Sequence, residues 1–230
     1  MVDTAAGLEL EPVRFASMLV GRWPSGAPLM RTPKADDAAL AGDEFANNHF
    51  IFEDDTRRSA LAVPGHGGDS YRAARADVMG RVCPHFAHIR KVNPRDAGTD
   101  LGTPADSLLR LMLRRGIPFG DPIAGVQDPP DELVEQERGL LFVSFAATIE
   151  DQFEFVTRRW ANSALHPRFG GHDPIMGQNG GRSGRDRFVE LPVGTTRSRR
   201  LAIGDERVVP TGGGYFFAPP VSAIADVLGG

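Results

Sequence analysis

Apolar positions along the chain fall into a few short blocks separated by long polar stretches rich in Gly, Pro, Asp and Asn. Over Pro12 to Gly21, Val13, Phe15, Met18 and Leu19 form a partly apolar stripe, and Gly21 marks a stop; this predicts a short helix. From Trp23 to Gly80 the pattern is mostly loop, with "NNHFIFEDD" (Asn47 to Asp55) its one strand-like patch. A loop that long in a compact domain is usually functional or wrapped around something.

The second half is more regular. "ADSLLRLMLRRGIPFG" (Ala105 to Gly120) reads equally as helix or strand, with Gly116 and Pro118 expected to end it. Asp121 to Asp131 is a turn-rich connector. "RGLLFVSFAATI" (Arg138 to Ile149) is a continuous apolar run, expected as a strand deep in a sheet. It leads into "EDQFEFVTRRWAN", where Phe153, Val156 and Trp160 recur at helical spacing. Gly170 to Arg187 reads as a Gly/Arg loop, and "GYFFAPP" (Gly214 to Pro220) as another strand. Strand, helix and strand in this order predict an α+β fold.

Composition narrows the class. The 230 residues are 41% hydrophobic and 24% charged, enough to bury a core in one or two domains. A net charge of −4 offers no bulk attraction to nucleic acid or to an anionic membrane. The run Arg197, Arg199, Arg200 reads as a solvated loop face offset by Asp205 and Glu206. One cysteine, Cys83, excludes an intrachain disulfide framework, and no run reaches the ~18 apolar residues of a membrane span. Met1 to Leu10 lacks the basic start of a secretory signal, so the cytoplasm is the default compartment.

Useful chemistry concentrates in "CPHFAHIRKVNPR", Cys83 to Arg95. A zinc site from Cys83, His85 and His88 lacks a fourth ligand from any second Cys/His pair. Nucleophilic catalysis by Cys83 with a histidine base is a second reading. A third is haem: an imidazole is a good axial ligand for iron, and nearby arginines neutralise propionates. A peroxidase also needs a distal cation to stabilise charge as the O–O bond breaks, and Arg114 and Arg115 carry permanent charge. The bland alternative is that both histidines pack or face solvent, and the residues alone do not decide among these.

Six segments in order resemble the dye-decolorising peroxidase family, in its longer forms. They are "MLVGRWPSGAPL", "CPHFAHIRKVNPR", "LRRGIPFG", "RGLLFVSFAATIEDQFEFVTRRWAN", "GHDPIMGQ" and "VVPTGGGYFFAPP". The resemblance implies haem b, with His88 as proximal iron ligand and Arg114 as the distal arginine. It sets Arg90 and Arg95 near the haem edge, without assigning either to a propionate. A carboxylate accepting the proximal imidazole's Nδ1–H is expected, and Glu154 or Asp151 on the helix after the long strand is the choice made for it. Trp160 and Tyr215 are either core aromatics or relays to a bulky donor. The implied activity is reduction of hydrogen peroxide with oxidation of dye-like or phenolic donors.

The family's second signature, GxxDG, normally lies upstream of "GRW" in a first ferredoxin-like domain, and it does not occur here. Residues 1–230 are therefore expected to be a single C-terminal haem-binding ferredoxin-like domain, with 1–80 largely helix plus long loop and 81–230 the haem-pocket core. Such a unit would expose an apolar sheet face. The alternative function is then a truncated, non-catalytic haem-binding or interaction domain, needing a homo-oligomer or the missing half as a separate chain.

Overall fold

The computed structural model describes residues 11–55, 70–121, 137–180, 186–194 and 197–228. Helix α1 (Pro12–Val20) follows the predicted pattern: Pro12 starts it, Phe15 and Met18 are buried, and Val13 and Leu19 are half-buried. Gly21 ends it at φ 95°, donating its N–H to Ser17 O at 2.7 Å. That left-handed turn lets the backbone approach α3 (His88–Val92) so closely that a Cβ on Gly21 would lie 2.4 Å from Ile89 Cγ1.

The described residues after Trp23, 23–55 and 70–80, are mostly turns, with one short helix, α2 (Ala38–Gly42); residues 56–69 of that segment and 122–131 of the connector lie outside the described residues. The strand-like patch is not a strand. Phe50, Ile51 and Phe52 are buried in the core, but the N–H groups of Phe52, Glu53 and Asp54 donate to the Asp96 carboxylate at 2.7, 3.0 and 2.9 Å. Arginines do the complementary work. Arg31 donates to the carbonyls of Ala46 and His49, Arg22 to that of Asn47, and Arg95 to those of Asn48 and Phe50. Buried backbone polar groups need partners, and here side chains supply what a sheet ladder would.

Helix α4 (Pro104–Leu108) opens with a capping box between Thr103 and Asp106. The chain then runs extended through β1 (Leu113–Arg114) and β2 (Ile117–Phe119), antiparallel to β4 (Ser144–Phe145) and β3 (Gly139–Leu141). Leu113 faces Phe145 and Ile117 faces Leu141, so both pieces keep one register and make one interrupted ribbon. Gly116 and Pro118 lie within it rather than ending it. The predicted strand is thus present but not deep: Leu140, Leu141, Phe142 and Phe145 are about half exposed, because no third strand covers the ribbon among the described residues. A wide helix of π-type turns follows, over Ile149–Glu154 and Val156–Ala161, and it packs on α3.

Two further expectations change. The end of the segment read as a Gly/Arg loop starts a hairpin, β5 (Arg187–Val193) with β6 (Arg197–Ile203), whose Val189, Leu191 and Leu201 reach the core. Arg197, Arg199 and Arg200 therefore stand on a strand, and Arg200 pairs with Glu190 at 2.7 Å rather than with Asp205 or Glu206. "GYFFAPP" makes no ladder among the described residues: Phe216 and Phe217 are almost fully exposed, and no described strand pairs with this extended chain. Helices alternate with antiparallel ribbons, so the fold class is α+β as the pattern predicts. No described helix is long and apolar enough to cross a membrane.

Two stability measurements follow from this packing. Gly21→Ala puts a side chain on a left-handed backbone against Ile89, and should cost about 2 kcal/mol or more in denaturant unfolding. His85 is neutral in the fold: burial first, then the charges of Arg90, Arg168 and Lys91, push its imidazole from 6.5 down to about 3. The unfolded chain binds that proton near 6.5 and the folded chain resists until about 3, so stability falls as pH drops through that window. The slope from this residue is at most about 1.4 kcal/mol per pH unit, and His85→Gln should flatten the measured pH profile between those limits.

Candidate haem-ligand site

Helix α3 is positioned before its first residue. Asp77, almost fully buried, takes the N–H groups of Arg81, Val82 and Cys83 at 2.7, 3.1 and 2.9 Å, which fixes the turn leading to His88. Arg90 closes that turn from inside. Its guanidinium pairs with Asp77 at 3.1 Å, donates to the carbonyls of Cys83 and Asp77, and lies over the Phe52 ring. Arg90 is 2% exposed, so its expected place at a haem edge is corrected: it is a core cation whose two terminal nitrogens serve Asp77 and Cys83, while its Nε is buried without a partner among the described residues. Arg95 is likewise committed, to Asn48 and Phe50, with its guanidinium 3.8 Å from the Phe50 ring centroid. Burial first, then the nearby Arg22 charge, pull it down to about 10.

His88 starts the helix with its side chain 24% exposed. Its Nδ1 meets Asp173 Oδ2 at 2.9 Å, and the Asp173 side chain is fully buried. The other oxygen of Asp173 accepts the N–H groups of Ile175 and Met176 at 2.8 and 2.9 Å. With an acceptor at Nδ1, the imidazole proton sits there and Nε2 keeps its lone pair, the arrangement a metal ligand requires. Behind the pair, the Asp173 N–H donates to Ala161 O in the wide helix, and Arg187 reaches the Asp173 carbonyl and Asn179 Oδ1. Lys91 is wholly buried beside them, donating to His166 O at 2.7 Å. Burial lowers it to about 8 against the opposing pull of Asp173.

The carboxylate on His88 is therefore neither of those chosen from the sequence. Asp151 is exposed and pairs with Arg110 at 3.1 Å. Glu154 pairs with Arg158 at 3.0 Å and accepts from the Tyr215 hydroxyl at 2.9 Å. Both lie in the first turns of the wide helix, whereas Asp173 lies in the "GHDPIMGQ" loop beyond it. Asp173 was within reach of sequence reasoning only as part of that motif. Nothing local singles it out from its neighbours.

Arg114 stands exposed on β1, opposite Ser144. Ile89 packs on Gly21, and the adjacent Arg22 is lowered first by burial and also by the charge of Arg114. The Arg22 guanidinium thus feels the positive charge of Arg114, and Arg95 that of Arg22. Cys83 is fully buried and its thiol is pushed up to about 12 by burial, which removes it as a nucleophile. No group of His, Cys, Asp and Glu among the described residues forms a direct metal-ion site, so the zinc reading also falls. Trp160 is fully buried, its indole N–H donating to Asp100 at 3.2 Å, while Tyr215 is exposed.

Comparison with known proteins gives one answer. Residues 33–168 match the family described as Dyp-type peroxidase, C-terminal. The chain is 37% identical over 221 residues to a dye-decolorizing peroxidase, AauDyP1, of Auricularia auricula-judae, and 37% identical to another from Exidia glandulosa. The matches cover 93% of this chain but only 39% and 38% of those relatives, so it spans about two fifths of their length. A bacterial relative, the multifunctional dye peroxidase DyP2 of an Amycolatopsis strain, is 34% identical over 187 residues, covering 76% of this chain and 39% of its own. A crystal structure of the Auricularia enzyme, complexed with imidazole, superposes with a TM-score of 0.68 at 34% identity, covering 95% of this chain and 46% of that one. The expected ferredoxin-like α+β architecture is that of these solved neighbours. The chain belongs to the dye-decolorising, Dyp-type peroxidase family, and matches its C-terminal part.

Proposed function

We propose that this chain is the haem-holding part of an oxidoreductase that reduces hydrogen peroxide and oxidises dye-like or phenolic donors, with haem b as its cofactor. The observation that carries the reading is the His88–Asp173 pair: an imidazole with Nδ1 held by a buried carboxylate, and Nε2 left for iron. When bound, haem would supply the two electrons that reduce peroxide as its O–O bond breaks, and the donor would return them.

Each residue has a separable task. His88 Nε2 holds the iron, and Asp173 fixes the tautomer and ring direction while making the imidazole more electron-rich. The backbone N–H groups of Ile175 and Met176 keep that carboxylate from turning away. Arg114, with no ion pair among the described residues, is free to donate to peroxide and to stabilise the negative charge on its departing oxygen. Arg90 and Arg95 take no direct part, since Arg90 is buried and the terminal nitrogens of both already serve the core.

The exposed ribbon supports a requirement for a partner. Leu113, Ile117, Phe119, Leu141 and Phe145 are each at least half exposed, a contiguous apolar surface of the kind that marks an interface. A further polypeptide corresponding to the rest of the relatives' length, or a second copy of this chain, would cover it. A non-catalytic haem-binding role is the alternative, and a haemin-loaded chain that does not react with peroxide would favour it.

Reconstitution with haemin separates these statements. His88→Ala should abolish the Soret band or shift it grossly, and an unchanged spectrum rejects the ligand assignment. Arg114→Leu should slow the reaction with peroxide by about 10²- to 10³-fold in stopped flow. Haem affinity should stay within about threefold, since uniform binding is not what Arg114 supplies. Equal loss of haem and of rate would reject its distal role.

A further inference from the structure

A cleft of about 280 Å³ opens between the turn before α3, the Phe169 and Gly170 loop, and the β5–β6 hairpin. His85 forms its floor. Two glycines hold His85: a Cβ on Gly80 would lie 3.0 Å from Cδ2 of the ring, and one on Gly170 would lie 2.6 Å from His85 Cβ, at the base of the side chain. The ring is the neutral one described above, and it hydrogen-bonds the backbone of Val78. A neutral imidazole that donates from one nitrogen keeps an acceptor lone pair on the other.

The rim is unbalanced in charge. Arg81 and Arg197 both line the cleft, and neither has an ion-pair partner among the described residues. The one carboxylate among the described lining residues, Glu190, is already engaged by Arg200 Nε at 2.7 Å and Ser198 Oγ at 3.1 Å. The walls are apolar: Phe169 is 50% exposed, Met79 is 66% exposed, and Pro192 lies beside them. The space suits one substituted ring and not a fused polycycle, being just below the usual range for ligand pockets.

We propose that this cleft binds a monocyclic aromatic carboxylate, with the carboxylate between Arg81 and Arg197 and the ring against Phe169 and Met79. A ring hydroxyl, where present, donates to His85. Guanidiniums match a carboxylate's geometry as well as its charge, and one of them over an aromatic ring gains further from the π-face. The site needs neither iron nor peroxide, so it stands apart from the proposed activity.

Calorimetry and methyl NMR on the full 230-residue chain test it, with benzoate, 4-hydroxybenzoate, phenol and benzylamine as probes. Benzoate should bind with a dissociation constant on the order of millimolar, 4-hydroxybenzoate more tightly, and benzylamine not at all. The Met79 methyl resonance should move on binding. The double substitution Arg81→Gln, Arg197→Gln touches only exposed side chains; its fold is checked by circular dichroism. It should weaken benzoate about tenfold, and His85→Gln should remove the advantage of the hydroxyl. Absence of binding, benzylamine or phenol binding as well as benzoate, or an unchanged affinity in the double variant would each overturn the proposal. Repeating the titration with and without haemin separates this outcome from any failure of haem binding.

Discussion

A buried carboxylate held by two backbone N–H groups fixes the direction of one imidazole, and the candidate site depends on that contact. Asp173 has no solvent to turn towards and no spare oxygen: one lone-pair set goes to Ile175 and Met176, the other to His88. The imidazole therefore has one tautomer and one free nitrogen. A charged group so placed is costly to bury unless fully hydrogen-bonded, and here it is. Its loop is anchored in turn to the wide helix through Ala161 and to β5 through Arg187, so three parts of the chain converge behind one ring.

The same logic runs through the half that builds the turn before His88. Long loops normally stay at the surface because their backbone polar groups need water. Here Phe50 to Phe52 go into the core, and their neighbours' backbone groups are met by Asp96, Arg31, Arg22 and Arg95. Asp77 and Arg90 do the same for the turn into α3. Cations that the resemblance places at a haem edge are instead what lets a loop-rich segment pack. Their charge is needed inside, close to carbonyls and aromatic faces.

These particulars explain what the sequence could and could not disclose. Helix α1 was legible because proline, stripe and glycine all act locally, and the wide helix because Phe153, Val156 and Trp160 repeat within it. The ribbon strands were legible as apolar runs, but their depth was not, since depth depends on what covers them and an apolar run reads alike in either case. "GYFFAPP" failed for the same reason. The β5–β6 hairpin was missed although Val189 and Leu191 alternate inward, because its flanking Gly/Arg composition reads as loop. His88 was legible through its motif. Asp173 was not, because a contact across 85 positions leaves no trace in local spacing, whereas Asp151 and Glu154 sit on a recognisable helix and attract the assignment.

Through Nδ1, Asp173 sets the electronic character of the opposite nitrogen of the His88 ring. The iron–histidine stretching frequency of the ferrous, haem-reconstituted chain reads that directly. A lower frequency is expected in Asp173→Asn than in the unsubstituted chain, with Asp151→Asn and Glu154→Gln unchanged. The same frequency in all four proteins would contradict it.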